Sequence, residues 1–171
     1  MDQCEELITE QLEPLLHDNQ HDRIAAGLAI GIALVFTGTE RQGDALLRQF
    51  TASGNEYTRM AGVLGLGLAH AGHHQDVEVV SEWVCEARVT RRLLRVISSD
   101  VSPTVRRNAV VALGLLYADA PAAFVPTALL LLQSYNPYIR YAAALISGLI
   151  NAGTGDAVLA EALMKLMNDN V

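Results

Sequence analysis

Large rings, cysteines and basic side chains are all scarce in this sequence. Aromatic residues make up 5% of the 171 residues, while hydrophobic residues as a whole make up 51%. An interior built from small aliphatic side chains favours closely packed helices over a sheet sandwich. The two cysteines, Cys4 and Cys85, give neither a disulfide framework nor paired metal-ligand spacing. Their sparse use fits a reducing, intracellular compartment. Lys and Arg number 12 against 19 Asp and Glu, a formal net charge of −7, which argues against a phosphate-tracking nucleic-acid surface. The longest uncharged apolar run, Ile24 to Phe36, falls short of the about 20 residues of a membrane span. The residues before it are acidic up to Arg23, unlike the basic start of a secretory signal.

What the sequence does hold is a repeat. Four arginines, Arg23, Arg59, Arg106 and Arg140, each follow a helix-capping residue by four positions: Asn19, Asn55, Ser102 and Asn136. Side chains of this kind accept from the free amides of a first helical turn. Pro103 and Pro137 stand at the first helical position of the last two copies, where a missing N–H costs nothing. Small residues recur at position +3 from the arginine (Ala26, Gly62, Ala109, Ala143). Branched aliphatics recur at +5 (Leu28, Leu64, Val111, Leu145) and glycine at +8 (Gly31, Gly67, Gly114, Gly148). The helices stop at Gly38, Gly72 or Gly153, and in the third copy near Asp119 and Pro121.

The anchors lie 36, 47 and 34 residues apart, a period typical of stacked helix pairs. The fold class predicted is therefore all-α, a solenoid of helical repeats in an armadillo- or HEAT-like superhelix. One domain over 1–171 is expected, with repeats at 19–54, 55–101, 102–135 and 136–171 after an acidic leading helix at 1–18. Second helices are predicted around Asp44–Phe50, Arg91–Ser98, Ala122–Gln133 and Ala157–Met167. The long second interval accommodates an inserted helix at 73–90, with Val77, Val80 and Val84 on one face. The repeated glycines read as sites of close helix approach, so Gly148→Leu is expected to overpack. The Gly27/Gly31 pair reads as an internal helix contact. The anchor arginines, in first turns that the helix dipole makes unfavourable for cations, are expected to reach a neighbouring helix's C-terminal carbonyls.

Three segments carry a resemblance: "HDRIAAGLAIGIALVFTGTERQGDALL" (21–47), "RRLLRVISSDVSPTVRRNAVVALGLL" (91–116) and "SYNPYIRYAAALISGLINAGTG" (134–155). They resemble the proteasome/cyclosome (PC) repeat family, shared by large non-ATPase subunits of the proteasome regulatory particle and a subunit of the anaphase-promoting complex. The "SDV…VRR" and "YNP…RY…AGTG" patterns are most like the larger of the two proteasome subunits. The resemblance implies a fragment or short form of a repeat scaffold that, in the family, closes into a toroid. It implies other regulatory-particle subunits as partners and a place in the cytoplasm and nucleus. It also implies a non-catalytic role in ubiquitin-dependent degradation. The alternative it leaves is a binding module for ubiquitin-like domains, as in the smaller sister subunit.

Candidate sites are few. Arg88, Arg91, Arg92 and Arg95 fall at helical spacing and are the expected partner-contact residues for an acidic surface, or else a solvated face paired with Glu82 and Glu86. His70, His73 and His74 sit together but lack the carboxylates or cysteines that would complete a metal site, so a solvated histidine loop is expected. No glycine run matches a phosphate loop or dinucleotide fingerprint, and no nucleophile–base set stands out. Neither cofactor, metal, nucleic acid, membrane nor small-molecule substrate is expected, and the chain is read as no enzyme.

Overall fold

The computed structural model describes residues 6–12, 14, 22–39, 43–72 and 83–167. Among the described residues a short π-helical stretch, Ile8–Leu12, precedes eight helices: α1 Asp22–Val35, α2 Asp44–Thr51, α3 Glu56–Ala69, α4 Trp83–Ser99, α5 Pro103–Leu116, α6 Pro121–Leu132, α7 Pro137–Ile150 and α8 Ala157–Leu166. No strand occurs among the described residues. The expected second helices are α2, α4, α6 and α8. Residues 83–90 of the predicted insert continue without a break into the helix predicted at Arg91–Ser98, giving the single α4; residues 73–82 lie outside the described ones, as does most of the leading segment.

Capping side chains start α3, α5 and α7. The side-chain Oδ1 of Asn55 accepts from the amides of Tyr57 and Thr58 at 2.8 and 3.2 Å, the Ser102 hydroxyl from Val105 and the Asn136 Oδ1 from Tyr138 at 3.0 Å. Two residues earlier a second polar side chain braces each cap: Ser53 accepts from the Asn55 amide, Asp100 from Ser102 and Ser134 from Asn136. The chain thus enters each helix through a turn held by side chains rather than by further secondary structure.

α1, α3, α5 and α7 pack in succession to form one layer. The other layer lies on it, with α2 on α3, α4 on α5, α6 on α7, and α8 on α6. α2, α4 and α6 therefore each pack chiefly on the first-layer helix that follows them. A continuous apolar core runs from Ile8 to Leu159 through Phe36, Phe50, Leu93, Leu113 and Phe124. The chain is an all-α helical-repeat solenoid.

Two kinds of contact set the step between copies. Gly67 on α3 lies against Ala112 on α5, and Gly114 on α5 against Ile146 on α7, so close that a Cβ on either glycine would collide. The amide of Gly38 donates to the Leu68 carbonyl at 3.2 Å, and that of Gly72 to Leu115 at 3.1 Å. Both glycines have positive φ, 69° and 73°, which frees their amides to point at the next helix. The glycine contact recurs at fixed positions from Arg59, Arg106 and Arg140, whereas the glycine amide bond joins the first two steps and Asp119 stands where a third such glycine would be; in the first copy both contacts are displaced by two residues. There Ala33, not Gly31, faces the next copy, with its Cα 3.7 Å from where a Gly65 Cβ would stand.

This corrects two expectations. Gly31 and Gly27 lie on an exposed face of α1 and make no internal helix contact, and Gly148 on α7 is likewise open, with nothing within 4 Å of a Cβ at any of the three. Of the four glycines expected to share one packing position, Gly67 and Gly114 hold it between two helices. Gly148 holds it at the end of the stack, and Gly31 belongs to the opposite face. The expected overpacking at Gly148 therefore does not arise within this chain.

Candidate interaction surface

α4 carries the arginine stripe. Arg91 and Arg95 are exposed, whereas Arg92 is half-buried and donates to the Thr51 hydroxyl on α2 at 3.2 Å. Burial, and then the charge of Arg48, hold the Arg92 pKa below its ordinary value. The helix includes Arg88, whose side chain lies outside the described ones. Arg91, Arg92 and Arg95 line a cleft of about 200 Å³ with Arg48, Val89 and the buried Leu66 at its base. Arg48 reaches it from α2, where it also pairs with Asp44 at 2.7 Å. Sequence reading missed Arg48, because only the stacking of α2 beside α4 brings it there. The cleft gathers cationic donors around an apolar floor, an arrangement suited to a carboxylate-bearing protein surface.

The anchor arginines do something else. Arg59 donates to the carbonyls of Ser53 and Gly54 at 3.1 and 2.8 Å. Arg140 donates to those of Ser134 and Tyr135 at 2.8 and 3.1 Å, and Arg106 to that of Asp100. These carbonyls lie just past the C-terminus of the preceding second-layer helix, so the expected partner is found one to three residues beyond the helix end. Arg59 in addition clasps Asp100 with two nitrogens at 2.9 and 3.2 Å, tying the start of α3 to the turn that leads into α5. Arg23 is exposed, and its cap Asn19 lies outside the described residues.

His70 caps the end of α3 and bonds Asp44 at 2.9 Å. Burial pushes the Asp44 carboxyl up, but the hydrogen bond and charge of His70, with Arg48, outweigh it and hold the pKa below the ordinary value. His73 and His74 lie outside the described residues. Among the described residues no group of three or more potential ligands could hold a metal ion, and no helix is long and apolar enough to cross a membrane.

Residues 90–171, which hold most of α4 and all of α5–α8, match the family model for HEAT repeats. The chain is 38% identical over 155 residues to 26S proteasome non-ATPase regulatory subunit 1 homolog B of Arabidopsis thaliana, covering 91% of this chain and 14% of that protein. The chain is a homologue of that subunit. It is also 33% identical over 153 residues to 26S proteasome regulatory subunit rpn2 of Schizosaccharomyces pombe (90% of this chain, 15% of the relative). To 26S proteasome non-ATPase regulatory subunit 1 of Dictyostelium discoideum it is 31% identical over 163 residues (95% and 16%). The likeness to subunit 1 thus covers 91% of this chain, while the chain spans about 14% of the length of such a relative.

Proposed function

We propose that this chain is a non-catalytic scaffold segment of a proteasome regulatory particle. In this role it holds neighbouring subunits in register for ubiquitin-dependent degradation in the cytoplasm and nucleus. The observation that carries the reading is the identity to regulatory, non-ATPase subunits along 91% of the chain. The physical basis is geometric: a stack whose helices meet at small residues, and whose first two steps are clamped by amide–carbonyl bonds, presents its surfaces at fixed spacing. Arg91, Arg92 and Arg95, with Arg88 on the same helix, are the proposed contact for an acidic subunit surface.

The test is affinity capture of the tagged chain from cells, followed by native separation and identification of co-migrating regulatory-particle subunits. Co-migration that Arg91→Glu/Arg95→Glu weakens, with the melting temperature unchanged, is the expected outcome. Migration free of the particle would overturn the scaffold reading. Saturable binding of a ubiquitin-like domain in titration would replace it with the binding-module reading.

A further inference from the structure

Between α2 and α4 the second layer is parted. α2 packs on α3 and α4 on α5, and Arg92 reaches across the gap to the Thr51 hydroxyl. Two cavities lie along this gap. The first is the arginine cleft, of about 200 Å³, which Arg48 of α2 lines with Val89, Arg91 and Arg92 of α4. The second, of about 560 Å³, has Thr51 and Gly54 on one side and Val96, Ser99 and Val101 on the other. Arg95 lines both. Residue numbers rise together on the two walls, so α2 and α4 run in the same direction and the cavities form one groove. Its lining comes from α2, α3, α4 and the turns after α2 and α4, with no residue of α1 or α7. The groove is therefore a feature of the inner part of the stack.

The two ends of the groove differ in chemistry. At the first, Arg91 and Arg95 are exposed and meet no carboxylate among the described residues. Burial, then the charges of Arg48 and Arg95, act against the charge on Arg92, so an anion placed here relieves a repulsion. The nearby carboxylates are already engaged: Asp44 by Arg48 and His70, Asp100 by Arg59 and the Ser102 amide. The second end is apolar. Val101 is 91% exposed, Gly54 has open space where a Cβ would stand, and Val96 packs on the core below. Val89 to Ser99 covers about 15 Å of helix, the reach of about five residues of extended chain. A folded surface would meet only the exposed Arg91 and Arg95, whereas a single strand of chain can follow the groove and approach Leu66 at its base.

We propose that the groove between α2 and α4 takes one extended acidic segment of a protein partner, with an apolar side chain at one end. Carboxylates of the segment pair with Arg48, Arg91, Arg92 and Arg95, and the apolar side chain settles on Val96 and Val101 beside Gly54. Charge sets the occupant at the first end and the exposed valine sets it at the second, with Arg95 fixing the distance between the two. This inference rests on the reading of the arginine cleft as the contact for an acidic partner. It adds the form of that partner, a linear segment, and a second contact that selects among acidic sequences.

Fluorescence anisotropy of the full chain with labelled synthetic peptides tests it. The probes are a run of glutamates ending in leucine, the same sequence reversed, and glutamates alone. One leucine peptide is expected to bind saturably, more weakly as salt rises, and about three- to tenfold more tightly than glutamates alone. Arg91→Glu/Arg95→Glu should weaken every peptide by about tenfold or more. Val101→Ser should remove the advantage of leucine and leave the binding of glutamates unchanged. These variants replace exposed side chains, and an unchanged melting temperature checks the fold. Absence of saturable binding at millimolar peptide, no gain from leucine in either direction, or a gain that survives Val101→Ser would each overturn the proposal. Tighter binding of single-stranded RNA than of any peptide would overturn it in favour of a nucleic-acid partner. If the peptides fail while Arg91→Glu/Arg95→Glu still weakens co-migration with the particle, the contact is a folded acidic surface and the reading of the cleft stands. Peptide binding by a chain that migrates free of the particle would overturn the scaffold reading alone.

Discussion

Thr58 and Ser147 bury hydroxyls that meet no hydrogen-bond partner. Thr58 precedes its anchor arginine by one residue, where the third and fourth copies place the buried Val105 and Ile139. Thr58→Val keeps the shape and removes an unsatisfied group, so it is expected to stabilise the chain by about 1 kcal/mol in urea unfolding. The glycines separate by context. Gly67→Ala drives a methyl into the Ala112 backbone, at a cost of about 1–3 kcal/mol. Gly148→Ala meets open space and is expected to stabilise by about 0.5–1 kcal/mol through helix propensity alone. Equal effects at the two positions would contradict the assignment of Gly67 to a closed step and Gly148 to an open one. Chemical denaturation of both variants makes that comparison.

At the scale of the element, polar clasps hold helices that apolar packing alone would leave free to slide. Asp100 accepts from Arg59 and from the Ser102 amide at once, so Asp100→Ala is expected to cost about 2 kcal/mol; a loss below the error of urea unfolding would show the clasp to be idle. The Asp44–His70 contact ties α2 to the end of α3. Because the folded-state pKa of Asp44 lies below its ordinary 3.8, its contribution is fully present above that value. It is lost as pH falls through the depressed one. Melting curves recorded down the acid range should therefore fall less steeply for Asp44→Asn than for wild type, from a lower midpoint at neutral pH.

Across the whole molecule, stability in such a stack is close to a sum of neighbour contacts. α3 and α5 each have first-layer neighbours on both sides and a second-layer helix above, whereas α8 packs chiefly on α6. Native-state hydrogen exchange should be slowest in α3 and α5 and fastest in α8. Uniform protection along the chain would indicate a single cooperative unit instead. The arginine cleft also belongs to this scale, since α2 and α4 contribute to it jointly and it exists only once they stand side by side.

The local sequence determined the all-α class, the starts of α3, α5 and α7, and the existence of a repeat. Capping side chains, proline at the first turn and small-residue spacing act within a few residues of where they stand. The bracing residues Ser53, Asp100 and Ser134 were also legible, each two before its cap, but went unread because they recur as different residue types. Tertiary structure decided the rest. It fixed the two-residue displacement of the first copy, for which the stop glycine Gly38 was a truer marker than Arg23, because the amide–carbonyl bond to Leu68 sets the step. It also decided which glycines are enclosed and which arginines meet. An identical residue in an identical local pattern is buried or open according to whether another helix follows it, and that is a property of the stack.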